Sequence, residues 1–169
     1  MTDNFTRATD PQTHGTGTAA PDAGHPFLEQ LVAHGVPEEM HGRFAAHGVG
    51  TLVEKLGIVF REISVERVVA TMPVEGNQQV AGILHGGASV ALAETLGSFA
   101  AAAHGGKDRR PVGVDINATH HRPGLSGLVT GTCTPIHLGR TLTTHEIVIT
   151  DGDGRRVCTA RITNMLLEK

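Results

Sequence analysis

Gly86-Gly-Ala-Ser-Val-Ala-Leu-Ala-Glu94-Thr-Leu-Gly-Ser98-Phe-Ala-Ala-Ala-Ala-His104 is the stretch whose reading decides the fold. Its seven alanines, with Val90, Leu92, Leu96 and Phe99, predict one long helix that is apolar nearly all round, the pattern of a buried helix. Upstream, Leu56-Gly-Ile-Val-Phe60 and Arg67-Val-Val-Ala-Thr-Met72 read as two strands, followed by a loop of apolar character over Asn77–Leu84. Downstream, Val112, Val114, Ile116 and Ala118 alternate with Gly113, Asp115, Asn117 and Thr119, the period of a half-buried strand. Residues 128–138 are rich in Thr and Val, with Pro135 marking an edge or a bulge. Asp151-Gly-Asp-Gly after Ile147-Val-Ile-Thr is a hairpin signal, because Asp-Gly supplies positive φ, and a last strand runs from Arg156 to about Leu167. The fold expected is α+β, an antiparallel sheet wrapped around one central helix.

Before that core, Phe27, Leu28, Leu31 and Val32 recur at helix spacing and stop near Gly35, and Pro37-Glu38-Glu39 opens a second short helix ending near Gly48. Residues 1–26 are rich in Thr, Gly, Pro, Asp and Ala, too polar to offset their ordering entropy, so they read as a flexible tail. The organisation expected is this tail and a single domain over 27–169, with N-terminal helices over 27–50 and the core over 51–169.

At 169 residues, 39% of them hydrophobic and 22 glycine, the chain is one domain with enough apolar surface for a core. A net charge of −3 with five Phe and no Tyr or Trp argues against nucleic acid, which calls for a basic groove or a stacking platform. No apolar run approaches the roughly 18 residues of a membrane span, so no membrane partner is expected. The start Met1-Thr2-Asp3-Asn4-Phe5 lacks the basic and apolar segments of a signal peptide, and a cytoplasmic protein is expected. Cys133 and Cys158 are too few for a disulfide framework or a four-ligand zinc site and read as small apolar strand residues. His120 and His121, adjacent on a strand, point to opposite faces and cannot chelate one metal; His137 and His145 read as sheet-surface residues. No metal site is expected.

Glu94 is the one carboxylate between Gly76 and Lys107. An ionised carboxylate on a buried helix costs several kcal/mol unless it is partnered or used. It lies on a narrow wet stripe with Ser98, or it is a nucleophile or general base that Ser98, one turn later, orients. His85-Gly86-Gly87 precedes the helix, where first-turn N–H groups lack intrahelical partners and can stabilise negative charge on a carbonyl oxygen. The blander reading is a tight turn with His85 as a solvent-facing cap. Gly86 and Glu94 stand eight residues apart, about 12 Å along one helix, whereas an oxyanion donor and a nucleophile both lie about 3 Å from one reacting centre. If both are catalytic, two antiparallel copies of the helix must share each site, and the minimal active unit is a homodimer.

Gln79-Val-Ala-Gly-Ile-Leu-His85-Gly-Gly-Ala-Ser-Val-Ala-Leu-Ala-Glu94-Thr-Leu-Gly-Ser98 resembles the hotdog-fold acyl-CoA thioesterases, and within them the aromatic acyl-CoA subgroup that includes the 4-hydroxybenzoyl-CoA, 1,4-dihydroxy-2-naphthoyl-CoA and siderophore-pathway proofreading enzymes. The resemblance continues through Asp115-Ile-Asn-Ala-Thr-His-His-Arg122-Pro and Pro135-Ile-His-Leu-Gly-Arg140-Thr, and covers about residues 50–167. It implies hydrolysis of an acyl-CoA to acid and CoA without a metal or redox cofactor. In that reading the Gly86 amide polarises the thioester carbonyl, Glu94 attacks it or activates water, and Ser98 orients the water or the carboxylate. Gln79 and His85 hydrogen-bond the thioester region. Arg122 and the Gly139-Arg140-Thr141 loop fall where similar enzymes contact the CoA phosphates, although solvated charge at strand ends would look the same. The resemblance further implies a homotetramer assembled from dimers. Rival readings are a non-catalytic acyl-CoA-binding module of the same fold, against which the absence of a basic recognition helix counts, and a hotdog dehydratase, which pairs its loop His with a more distant helical acid.

Overall fold

The computed structural model describes residues 27–169; the stretch 1–26, expected to be a flexible tail, lies outside the described residues. Ten elements follow in order: α1 (Leu28–Ala33), α2 (Glu38–Phe44), α3 (Thr51–Leu56), β1 (Val59–Ile63), β2 (Val68–Pro73), α4 (Gly86–Gly105), β3 (Arg109–His120), β4 (Leu128–Leu138), β5 (Leu142–Thr150) and β6 (Arg156–Glu168). All neighbouring strands are antiparallel in one six-stranded sheet ordered β1-β2-β4-β5-β6-β3, with β1 and β3 at its edges. The 20-residue α4 lies against the inner face of this sheet.

Helix and sheet meet closely because glycine stands at the contact. A Cβ on Gly97 of α4 would overlap Ile162 of β6, and one on Gly131 of β4 would run into Leu96. Leu92, Leu96, Ala93 and Ala101 are fully buried against this face. The other side of α4 receives the N-terminal helices: Phe44 stacks on Phe99 at 4.5 Å between ring centroids, and Phe60 of β1 lies 4.3 Å from the same ring. What stays accessible on α4 is a stripe that holds Gly87, Val90, Ala91, Glu94, Thr95 and Ser98.

Three local readings are corrected by the structure. The residues before Ile58 form helix α3, set off by Gly50 at φ 90° and Gly57 at φ 65°, and β1 begins only at Val59. In β3 the alternation breaks. Pairing with β6 shifts between Gly113 and Asp115, so Val114 is an extra residue and the inward set becomes Gly113, Ile116, Ala118 and His120. Val112 and Val114 are therefore exposed, at 41% and 58%. Pro135 does mark a register shift, between Pro135 and His137 in β4.

His145 is the third correction. It shares the inner face of β5 with Thr143, Ile147 and Ile149 and is completely buried. Neither of its ring nitrogens has a partner among the described residues, and burial, with His104 nearby, lowers its pKa to about 4. The unfolded chain, with an ordinary His near 6.5, takes up the proton first. The resulting stability is complete above pH 6.5 and is lost as pH falls toward 4. Chemical denaturation should show wild type losing up to about 1.4 kcal/mol per pH unit more than His145→Leu in that window. Equal pH dependence of the two would mean that His145 is not held neutral.

Candidate active site

The loop 77–84 delivers its side chains to the N-terminus of α4 because its backbone is tied at both ends. Asn77 Nδ2 donates to the carbonyls of Leu56 and Pro73, the His85 N–H donates to Asn77 O, and the Leu84 N–H donates to Gly124 O. His85 is the N-cap of α4. Its Nδ1 accepts from the Gly87 N–H at 2.8 Å, so the proton of the neutral ring sits on Nε2, pointing away from the helix and able to donate. The cap reading and the donor reading of His85 are thus compatible.

Both glycines have a steric reason. A Cβ on Gly86 would stand 2.9 Å from His120 Nε2, and one on Gly87 would stand 3.0 Å from His85 Nδ1. The Gly86 N–H has no partner among the described residues. It opens on a cleft of about 510 Å³ whose lining includes Gln79, Ile83, His120, His121 and Arg122. The structure therefore brings together Gln79, Gly86 and Arg122 with His120, whereas His85 lines a neighbouring cleft with Asn77, Gln78 and Gly87. The signal for His120 was its phase with Ile116 and Ala118, which puts it on the inner face of β3. Arg122 Nη1 donates to Arg156 O at 3.1 Å, which holds its guanidinium at the rim.

Glu94 lies elsewhere. It lines a cavity of about 190 Å³ with Gly113, Val114, Asp115 and Ile116 of β3. Burial raises its pKa above the usual carboxylate value, while the Ser98 hydroxyl one turn along lowers it; no cation pairs with it among the described residues. Since α4 is a continuous helix, Gly86 and Glu94 are held about 12 Å apart within the chain. The Gly139-Arg140-Thr141 loop sits further off, at the C-terminal end of α4, where His104 Nε2 contacts Gly139 O at 3.1 Å.

The described residues contain no cluster of three His, Cys, Asp or Glu side chains placed to hold a metal ion. Cys133 is buried and its thiol is pushed up to about 12, which leaves it unreactive. No helix among the described residues is long and apolar enough to cross a membrane.

A sequence model of the thioesterase superfamily matches residues 81–158. The proofreading thioesterase EntH of Cronobacter sakazakii is 49% identical over 123 residues, which span 72% of this chain and 90% of the relative. The chain belongs to the thioesterase superfamily. Among solved structures, a thioesterase of Haemophilus influenzae superposes with a TM-score of 0.69 at 38% identity, covering 78% of this chain and 91% of that one. A mutant thioesterase of Pseudomonas aeruginosa gives 0.69 at 36%, covering 78% and 94%. The sheet around the long helix α4 is the hotdog fold, and these relatives support thioester hydrolysis as the activity of this thioesterase.

The His85 cap can be tested without substrate. His85→Ala should lower the stability of the thioesterase by about 1 kcal/mol, and His85→Asn, whose side chain also caps, should restore most of it. Thermal denaturation checks both, and an unchanged midpoint in His85→Ala would remove the cap.

Proposed function

We propose that the protein hydrolyses an acyl-CoA with an aromatic acyl group to the free acid and CoA, in active sites shared by two subunits. The observation that carries this reading is the unbroken helix from Gly86 to Gly105, which sets an unpartnered N–H and a half-buried carboxylate about 12 Å apart along its axis. Two such helices, antiparallel and crossing near Val90, place Gly86 of one subunit opposite Glu94 of the other. The edge strand β3, with Val114 exposed beside Glu94, supplies apolar surface that the partner covers.

In such a site the Gly86 N–H, at the positive end of α4, donates to the thioester oxygen as it gains charge. Gln79 and His85 Nε2–H donate to the same region. Glu94 of the partner, oriented by Ser98, attacks the carbonyl carbon, expelling CoA as the thiolate and giving a mixed anhydride that water then cleaves to the free acid and the Glu94 carboxylate; or it takes the proton of a water that attacks the carbonyl carbon, and CoA departs as the thiolate, which takes up that proton. The raised pKa of Glu94 strengthens the carboxylate as base and nucleophile. An apolar cleft of about 440 Å³, lined by Leu52, Leu56, Ala88 and Ala91 beside His85, suits a flat ring. The CoA phosphates lie at the rim carrying His121 and Arg122. The partner's Gly139-Arg140-Thr141 loop, ten residues of helix beyond Glu94, stands about 15 Å from that Gly86, within reach of an extended CoA, whereas the chain's own loop is about 27 Å away.

Hydrolysis of benzoyl-, hexanoyl- and acetyl-CoA, followed by release of free thiol, tests the reading. Benzoyl-CoA should be the best of the three. Glu94→Gln should lower turnover by at least ~10² while thioester binding persists, and Ser98→Ala should lower it less. Near-normal turnover in Glu94→Gln would make the carboxylate structural.

A further inference from the structure

Glycine at 113 has no backbone explanation. Its φ is outside the left-handed region, it lies within strand β3, and a side chain there would meet no part of the sheet's own backbone. What a Cβ would meet is Glu94: 2.9 Å to Oε1 and 3.8 Å to Cδ. Behind it, at 3.9 Å, is Oδ1 of Asn164, the residue paired with Gly113 across β3 and β6. Asn164 is fully buried, its Nδ2 reaches the Gly97 carbonyl at 3.4 Å, and its Oδ1 has no partner among the described residues. The carboxylate oxygen thus occupies part of the space that a methyl would take, while the amide stands at ordinary contact distance from it. The bulge at Val114 is what turns this position inward: without the extra residue, the inward phase of Ile116 and Ala118 would bring Val112 and Val114 to face α4, and a valine would fill the space.

We propose that Gly113 is a positioning residue for thioester hydrolysis, the absent side chain at the Val114 bulge leaving the seat in which the Glu94 carboxylate rests against β3 with the Asn164 amide behind it. The inference rests on Glu94 being the reacting carboxylate. Among the described residues, chain neighbours aside, the two nearest atoms both belong to Glu94, so a methyl group there acts first on Glu94. The atom it displaces is the far end of a flexible side chain, which swings out into the cavity beside β3 while the strand stays in place. A carboxylate moved by about 1 Å loses its alignment with the thioester carbon, which costs up to about 10²-fold in rate. Moved outward, it is also better solvated, so its pKa falls back toward that of an ordinary carboxylate.

Gly113→Ala, assayed with benzoyl-CoA, should lower kcat by roughly 10- to 100-fold with little change in KM, and should move the acid limb of the pH–rate profile to lower pH. Thermal midpoint and oligomeric state should stay those of wild type. In the Glu94→Gln background the same substitution should change the residual turnover by less than about twofold, because the group it acts on is already disabled. A Gly113→Ala enzyme with wild-type kcat and pH profile, while Glu94→Gln is inactive, overturns the seat and leaves the catalytic reading standing. Near-normal turnover in Glu94→Gln overturns that reading first, and the seat with it. A Gly113→Ala chain that fails to fold also overturns the proposal, since the space would then serve the sheet.

Discussion

The close approach of α4 to the sheet governs the rest of the molecule. Glycine at 97 and 131 lets the helix sink onto β4 and β6, and Leu92, Leu96 and Ala101 seal the contact. Packing of that density fixes the rotation of the helix about its axis, and therefore which residues remain accessible. Those residues are Gly87, Val90, Ala91, Glu94, Thr95 and Ser98. The carboxylate is held at the edge of a core that would otherwise exclude it, half-buried, with its pKa raised and one hydroxyl for company. The same rigidity keeps the Gly86 amide and the Glu94 carboxylate from ever meeting in one chain.

Much of this was legible in the residues. A helix with a single charge, opened by Gly86-Gly87 and closed by Gly105-Gly106, has few other readings, and alternating or Thr-rich runs on both sides of it leave little but a wrapped antiparallel sheet. Gln79, Gly86 and Arg122, which the resemblance singled out, line one cleft. Other features were carried by tertiary pairing and left a weaker trace. The bulge at Val114 is set by the register of β3 on β6, while the sequence keeps up an unbroken alternation through it. Helix α3 is only six residues, too short for a periodic signal, although the glycines on either side of it are the mark that it leaves.

Two histidines were readable and pass unnoticed when each is considered alone. Carrying the period of two back from Ile149 and Ile147 puts His145 inside, and carrying it forward from Ile116 and Ala118 puts His120 over Gly86. The first is a fully buried ring whose burial lowers its pKa; the second forms part of the wall of the cleft. Periodicity assigns a face to polar residues as firmly as to apolar ones.

The central claim is that each active site takes Gly86 from one subunit and Glu94 from the other, and mixing two inactive variants tests it most directly. Gly86→Val in one chain and Glu94→Gln in another disable both sites of their own homodimers. In a heterodimer the lesions fall together in one site and leave the other intact, so co-refolded, verified heterodimers should recover up to about half of the wild-type turnover per dimer. Heterodimers that form and fold yet show no recovery would mean that each chain builds its own site, contradicting the account.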